Sequence, residues 1–272
     1  LIIGIEQEAI IHGYYPVAVS SQRNPEIEQK FIQHFKNNRV CGLMISSIDP
    51  SSATLEQYVN NGGVACVFES YFELDNIISA KTDSLTAART ATQYLISNGH
   101  KNIAFLSTPI NHSSRIQRQD GIKLEMANHG LPFGEENIIA FADEKDIVSG
   151  HYEFEVGKEL AHRFINSSTK FTAIIAANDL LAIGIMKELQ NHNIKVPEDV
   201  SIIGFDNIPE CDFTTPRLTT IDLPSRQLGQ NACRTTINAI SSKTELLNFT
   251  ISVKSELVER ESVKNISDHQ QI

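Results

Sequence analysis

Three short stretches end an apolar or helix-leading run on a residue able to hold a ligand: Ile174–Asp179 (IIAAND), Ser201–Asn207 (SIIGFDN) and Lys81–Ser84 (KTDS). In the first, a buried-looking strand stops at Asn178 and Asp179 and passes straight into a helix. Either residue can cap that helix, because a side-chain oxygen there satisfies free amides, and either can face a ligand. Asp206 lies just beyond the second run, where it reads as a turn-former or as a carboxylate at a strand end. Asp83 precedes a helix over Leu85–Asn98, as its cap or as a carboxylate facing a cleft. Arg118 falls early in a further predicted helix, where a surface arginine is the ordinary reading. Taken together, these residues place carboxylates, an amide and a guanidinium at the carboxyl edge of a sheet, which suits a small polyhydroxylated molecule.

Covalent chemistry has no comparable support. The chain contains no G-x-x-x-x-G-K-[ST], G-x-G-x-x-G, G-x-S-x-G or H-E-x-x-H segment. The acidic stretch Asp143–Glu155 (DEKDIVSGHYEFE) matches no standard metal-ligand spacing and reads as a solvated loop running into a helix. Cys41, Cys66, Cys211 and Cys233 are widely spaced, with no C-x-x-C pair, and read as reduced core residues of a cytosolic protein. The expectation is a binding protein with no catalytic residue, no metal and no cofactor.

Such residues must be positioned by a framework, and the chain supplies one. Short β-branched runs alternate with amphipathic stretches, the pattern of repeated βα units and a parallel sheet. Tyr15–Ser21, Val40–Ser46, Val64–Phe68, Asn102–Ser107, Phe171–Ala176 and Val200–Phe205 are predicted strands. Leu1–Gly13, Pro25–Asn38, Ser84–Asn98, Arg115–Asn128, Asn178–Asn193 and Ser225–Ser241 are predicted helices. The opening helix has no strand ahead of it, so a first strand and its loop are expected outside these 272 residues. No run of about 18 apolar residues is present to cross a membrane. With a net charge of −10 and no long Lys/Arg cluster, the chain by itself is poorly suited to phosphate contacts.

At this point a resemblance covers nearly the whole chain. TDSLTAARTATQYLISNGHKNIAFLS (Thr82–Ser107), R-x-x-G at Arg118–Gly121, AANDLLAIG at Ala176–Gly184, the block Pro197–Ala232 and the closing ELVERES at Glu256–Ser262 resemble, in order, the lactose-repressor/galactose-repressor (LacI/GalR) family. The resemblance implies a two-lobed α/β fold of the type I periplasmic-binding-protein kind, each lobe a parallel sheet flanked by helices. The lobes are expected over residues 1–98 with 222–250 and 99–221 with 251–272, joined by short crossings near Asn98–Asn102, Thr219–Leu223 and Leu247–Ser255. It further implies a cytoplasmic homodimer that holds a small effector, a sugar or sugar derivative, between its lobes. Operator DNA would be read only through an N-terminal helix-turn-helix headpiece. The effector contacts carried over are Asp83, Arg118, Asn178 and Asp206, with Tyr152 where the family places an aromatic against the ligand. Between Ile139 and Tyr152 this chain is longer than the family pattern. An exported sugar-binding protein of a transport system is the alternative with the same fold.

Overall fold

The computed structural model describes residues 1–22, 24–46, 53–69, 74–141, 152–242 and 249–267. In chain order the elements are α1 (Ile2–Ile11), α2 (Pro25–Asn37), β1 (Gly42–Ile45), α3 (Ala53–Asn60), β2 (Val64–Phe68), β3 (Ile78–Thr82), α4 (Ser84–Ser97), β4 (Ile103–Ser107), α5 (Ser113–Asn128), β5 (Ile138–Ala140), α6 (Tyr152–Ile165), β6 (Ala173–Ala176), α7 (Asp179–Asn191), β7 (Ser201–Phe205), β8 (Thr219–Asp222), α8 (Ser225–Ser242), β9 (Phe249–Val253) and β10 (Glu256–Val258). They form two compact units, Leu1–Thr82 with Pro224–Lys254 and Asp83–Leu223 with Ser255–Ile272. The first division thus falls ahead of α4, not behind it. This helix packs on α5 and belongs with the second unit.

In the first unit, the described strands run β1-β2-β3-β9, all parallel. Helix α2 starts where the sequence supplies both a cap and a stiff first residue: Asn24 accepts from the Glu26 and Ile27 amides, and Pro25 follows. One face of the sheet buries Leu43, Ala65 and Val67 against Ile32, Leu55 and Tyr58. The other buries Cys66, Phe68 and Ala80 against Leu228 and Ala232 of α8. The expected strand Tyr15–Ser21 does not form: its backbone pairs with no strand among the described residues, and Tyr15 and Val17 are exposed. Alternation of apolar residues alone does not make a strand; it needs a neighbour's amides and carbonyls. Cys41 is likewise exposed rather than in the core, whereas the other three free cysteines are buried.

The second unit is built on the order β10-β8-β7-β6-β4-β5, with only β10 antiparallel among the described strands. Every residue of β4, β6 and β7 is buried, which is why these segments read as unbroken apolar runs rather than alternating ones. Helices α4 with α5 and α6 with α7 pack as pairs. Gly99 and His100 follow α4: Gly99 takes φ +90°, and the buried His100 ring reaches the Thr172 hydroxyl at 3.1 Å and the Lys264 carbonyl at 3.0 Å. This pair ties the closing segment of the chain to the sheet.

The helix pairs share a device. Gly4–His12, Gly121–His129 and Gly184–His192 each read G-I-x-x-E-x-x-x-H, on α1, α5 and α7. In each, a Cβ on the glycine would lie 2.1–2.4 Å from a backbone carbonyl of the paired helix: Arg226, Leu85 and Phe154 respectively. The glutamates, Glu8, Glu125 and Glu188, are all buried. The histidines close the helices, each placing Nδ1 3.0 Å from the carbonyl of its own glutamate, where the ring adds a side-chain donor to the last turn. Bare backbone packs against bare backbone, and one turn further on a buried carboxylate is met from the partner helix.

Candidate functional site

The strand order of the second unit reverses between β4 and β6: the chain leaves β4 for β5 on one side and resumes with β6 on the other. In an open α/β sheet the crevice at such a switch point, outside the carboxyl ends of the strands, is where ligands bind. Arg118, in the second turn of α5, crosses it. Its Nη1 donates to the carbonyl of Ala177 just beyond β6, its guanidinium lies 4.5 Å over the ring of Phe205 at the end of β7, and its Nη2 stands 3.8 Å from the Asp206 carboxylate. The arginine is buried, not a surface residue, while the Asp206 side chain is nearly half exposed. A buried cation is thus held by a carbonyl, an aromatic face and a carboxylate that opens to water.

Asp206 occupies unusual backbone. Its φ is +107° and that of Asn207 is +51°, in a region that non-glycine residues enter at a cost and keep only when their surroundings impose it. The surroundings here are specific. The Asp206 amide donates to the Ile221 carbonyl at 2.9 Å, the Ile208 amide to Asp179 Oδ2 at 3.1 Å, and Arg260 Nη2 to the Asn207 side-chain oxygen at 2.9 Å. The turn-forming and site readings of Asp206 are therefore compatible, because the turn aims the carboxylate.

The Asn-Asp pair divides its work. Asn178 caps α7, accepting from the Leu181 amide at 2.8 Å. Asp179 is fully buried, accepts from the Thr220 hydroxyl at 2.6 Å, and sits so close to Gly204 that any Cβ there would meet its Oδ1 at 2.1 Å. Asp83 caps α4, accepting from Thr86. Tyr152 is the first residue of α6 and packs half-buried against the core. The structure thus joins Arg118 to Asp206 directly and brings Arg118 to the residue before Asn178, while Asp83 and Tyr152 are each set by the start of a helix. Residues 142–151, in the stretch expected to exceed the family length, lie outside the described residues.

Sequence reasoning singled out Asp179 as a cap or ligand contact but not as a positioning residue, and missed Arg260; together they clamp the loop bearing Asp206. It also missed Ser107 and Thr108 at the end of β4, whose buried hydroxyls have no hydrogen-bond partner among the described residues. The signal for the first two was present in part, since Asp179 adjoins Asn178 and Arg260 lies in the closing ELVERES.

Burial pushes the Asp179 carboxyl up to about 6 from 3.8, against the hydrogen bonds of Thr220, Cys211 and the loop amides. With the folded value above the unfolded one, the folded chain binds the extra proton between pH 4 and 6, so this group's contribution to stability falls as pH rises through that window and is flat above it. At 1.36 kcal/mol per pH unit the loss is about 3 kcal/mol. Asp179→Asn removes the titration, so urea unfolding at pH 4 and pH 7 should show the variant gaining on wild type by about that amount as pH rises. A difference independent of pH would show that Asp179 is charged throughout.

Residues 92–263 match the family described as periplasmic binding protein-like domain. The repressor PurR of Vibrio atlanticus is 28% identical over 271 residues, covering 98% of this chain and 77% of that protein. Catabolite control protein A of Priestia megaterium is 30% identical over 246 residues, covering 89% of this chain and 70% of its own. The solved structure of a LacI family transcriptional regulator from Enterococcus faecium with bound ribose superposes with a TM-score of 0.84 at 23% identity, over 97% of this chain and 93% of that one. The two sheets, the ordered sequence blocks and these matches agree, and the chain belongs to the periplasmic-binding-protein-like family as a LacI/GalR-type effector-binding core.

Proposed function

We propose that this chain is the effector-binding and dimerisation core of a bacterial DNA-binding transcription regulator, sensing a sugar or sugar derivative at the carboxyl edge of the second unit's sheet. The observation that carries the reading is the Arg118–Asp206 pair, a buried guanidinium spanning a switch point beside a half-exposed carboxylate. Asp206 accepts from two neighbouring hydroxyls of one ring, and Arg118 donates to ring or hydroxyl oxygens. Asn178 contributes the amide NH2 left over by its capping oxygen, Asp83 a further acceptor, and Tyr152 an apolar face. The protein binds and releases; it does not catalyse. The regulator names of the matched relatives, and the ribose in one matched structure, support this over a transport role. Operator contact belongs to a helix-turn-helix segment outside these residues, in keeping with the net charge of −10. Phe213, 83% exposed beside the site loop, and Ile3 and Ile10, exposed on α1, supply apolar surface for a homodimer working in the cytoplasm.

A thermal-shift screen of sugars and sugar phosphates, followed by calorimetric titration, tests the site. Hydrogen bonds to a charged group contribute about 1.5–3 kcal/mol, so Asp206→Ala should weaken binding by roughly ten- to a hundredfold. Its unliganded melting temperature should fall only modestly, because the side chain is nearly half exposed and Arg118 keeps the Ala177 carbonyl and the Phe205 ring. An unchanged dissociation constant would place the ligand elsewhere.

A further inference from the structure

The three G-I-x-x-E-x-x-x-H helices differ in what meets their buried glutamate. Glu8 receives a bidentate guanidinium from Arg234 of α8, with nitrogen–oxygen distances of 2.7 and 3.1 Å. Glu125 receives Arg89 of α4 at 2.9 Å. Glu188 receives no arginine among the described residues: the group that reaches it from α6 is His162, whose Nε2 lies 3.1 Å from Oε1. With His192, this copy gathers two imidazoles and a carboxylate, one ligand atom of each within 4.8 Å of the others. The two rings meet edge to face with centroids 5.0 Å apart.

We propose that His162, Glu188 and His192 form a site for a divalent transition metal of the zinc class, which takes the place that an arginine guanidinium fills in the other two copies. Two ligands of one tetrahedral zinc, each about 2.0–2.1 Å from the metal, stand about 3.3–3.4 Å apart. The 3.1 Å between His162 Nε2 and Glu188 Oε1 is a few tenths of an ångström short of that spacing, so a small outward shift of the exposed ring would meet it. The outer groups are those a metal site needs. His192 Nδ1 faces the Glu188 carbonyl at 3.0 Å, which fixes the ring, and Asn191 Nδ2 donates to Glu188 Oε2 at 3.0 Å, which orients the carboxylate. Both rings are substantially exposed, so the metal has an entry path and a fourth position open to water. Glu188 is buried, and a buried carboxylate is stabilised by a cation beside it. Of the cations flanking His162 on α6, Lys158 lies 2.8 Å from Glu155 and is attracted to Glu188 only at longer range, and Arg163 pairs with Glu159 while stacking on Phe141. Oxygen-loving magnesium and calcium are poorly served by two imidazoles, whereas zinc, nickel and cobalt suit them. A metal there would tie the last turn of α6 to the end of α7.

The test is equilibrium titration of chelator-treated protein with Zn2+ against a chromophoric competitor, alongside Co2+ absorption, which reports ligand geometry. Wild type should take up one Zn2+ and melt higher with it, but not with Mg2+. Loss of one of three ligands should weaken binding by about a hundredfold in His192→Asn, and Asn191→Ala should weaken it by about tenfold. His162→Arg is the decisive variant. It recreates the ion pair of the other copies, so it should keep the fold and melting temperature while abolishing uptake. His129→Asn, in a copy served by arginine, should bind Zn2+ like wild type. Wild-type affinity in His162→Arg or His192→Asn, with the exposed Cys41 still present in both, would put the metal elsewhere and overturn the proposal, as would the absence of uptake by wild type.

Discussion

Replacing Gly184 with valine should strip the second unit of much of its stability, by about 3–5 kcal/mol, with a fall in melting temperature of roughly 10 °C. The new Cβ would stand 2.1 Å from the Phe154 carbonyl oxygen, and Gly157 of the opposite helix meets the Leu181 carbonyl just as closely, at 2.4 Å. These obstacles are backbone, so no rotamer change relieves them and the two helices must separate. Separation opens the apolar seam around Val156, Leu160, Leu181 and Ile185, all of which lie in the core. Ordinary overpacking costs about 1–3 kcal/mol, and here the branched side chain adds to a clash that alanine would already make. Against a total stability of about 5–15 kcal/mol such a loss is large. Urea unfolding followed by circular dichroism measures it; a variant within 1 kcal/mol of wild type would mean that the helices do not approach as described.

Arg118→Ala should abolish measurable effector binding and should lower stability well beyond Asp206→Ala, by about 2–4 kcal/mol. The side chain is 8% exposed, and its removal leaves the Ala177 carbonyl without that donor and a void beside Phe205. Lysine should not restore binding, because a single ammonium cannot reach a carbonyl, an aromatic face and a carboxylate at once. The readouts are a calorimetric titration and a melting curve on the same preparations. Full stability in the alanine variant would return Arg118 to the surface role that its place early in a helix suggests.

The contrast between those two variants shows where the sequence was legible. Continuous apolar runs announce β4, β6 and β7, and Asn178 and Asp206 follow the last two within two residues. What the pattern did not carry was depth. Arg118 looks like any helical arginine until β6 and β7 are placed beneath it, and Asp179 looks like a cap until Gly204 makes room for its carboxylate. Strands β3, β8 and β9 escaped notice because serine, threonine and lysine interrupt them; their partners, not their composition, hold them in the sheet. Tyr15–Ser21 is the converse case, strand-like in composition but without a paired neighbour. The repeated glycine-glutamate-histidine helices are ten-odd residues long and more than sixty residues apart, so they emerge only when their shared packing is seen.

The pairing of α1 with α8 has a consequence for synthesis. The first unit is discontinuous: its opening helix waits for a partner more than 200 residues downstream, and its fourth described strand, β9, comes later still. The second unit interrupts it, yet also depends on the tail, because β10 covers its sheet edge and the Ser262 hydroxyl bonds to the Ile202 carbonyl and receives the Thr219 amide. Closing so long a loop adds only slowly to the entropic cost, but no amount of time on the ribosome lets α1 find a partner that has not been made. A nascent chain halted before residue 224 therefore carries an orphan helix whose Glu8 lacks Arg234, and both units reach completion only once residues 224–262 have been made.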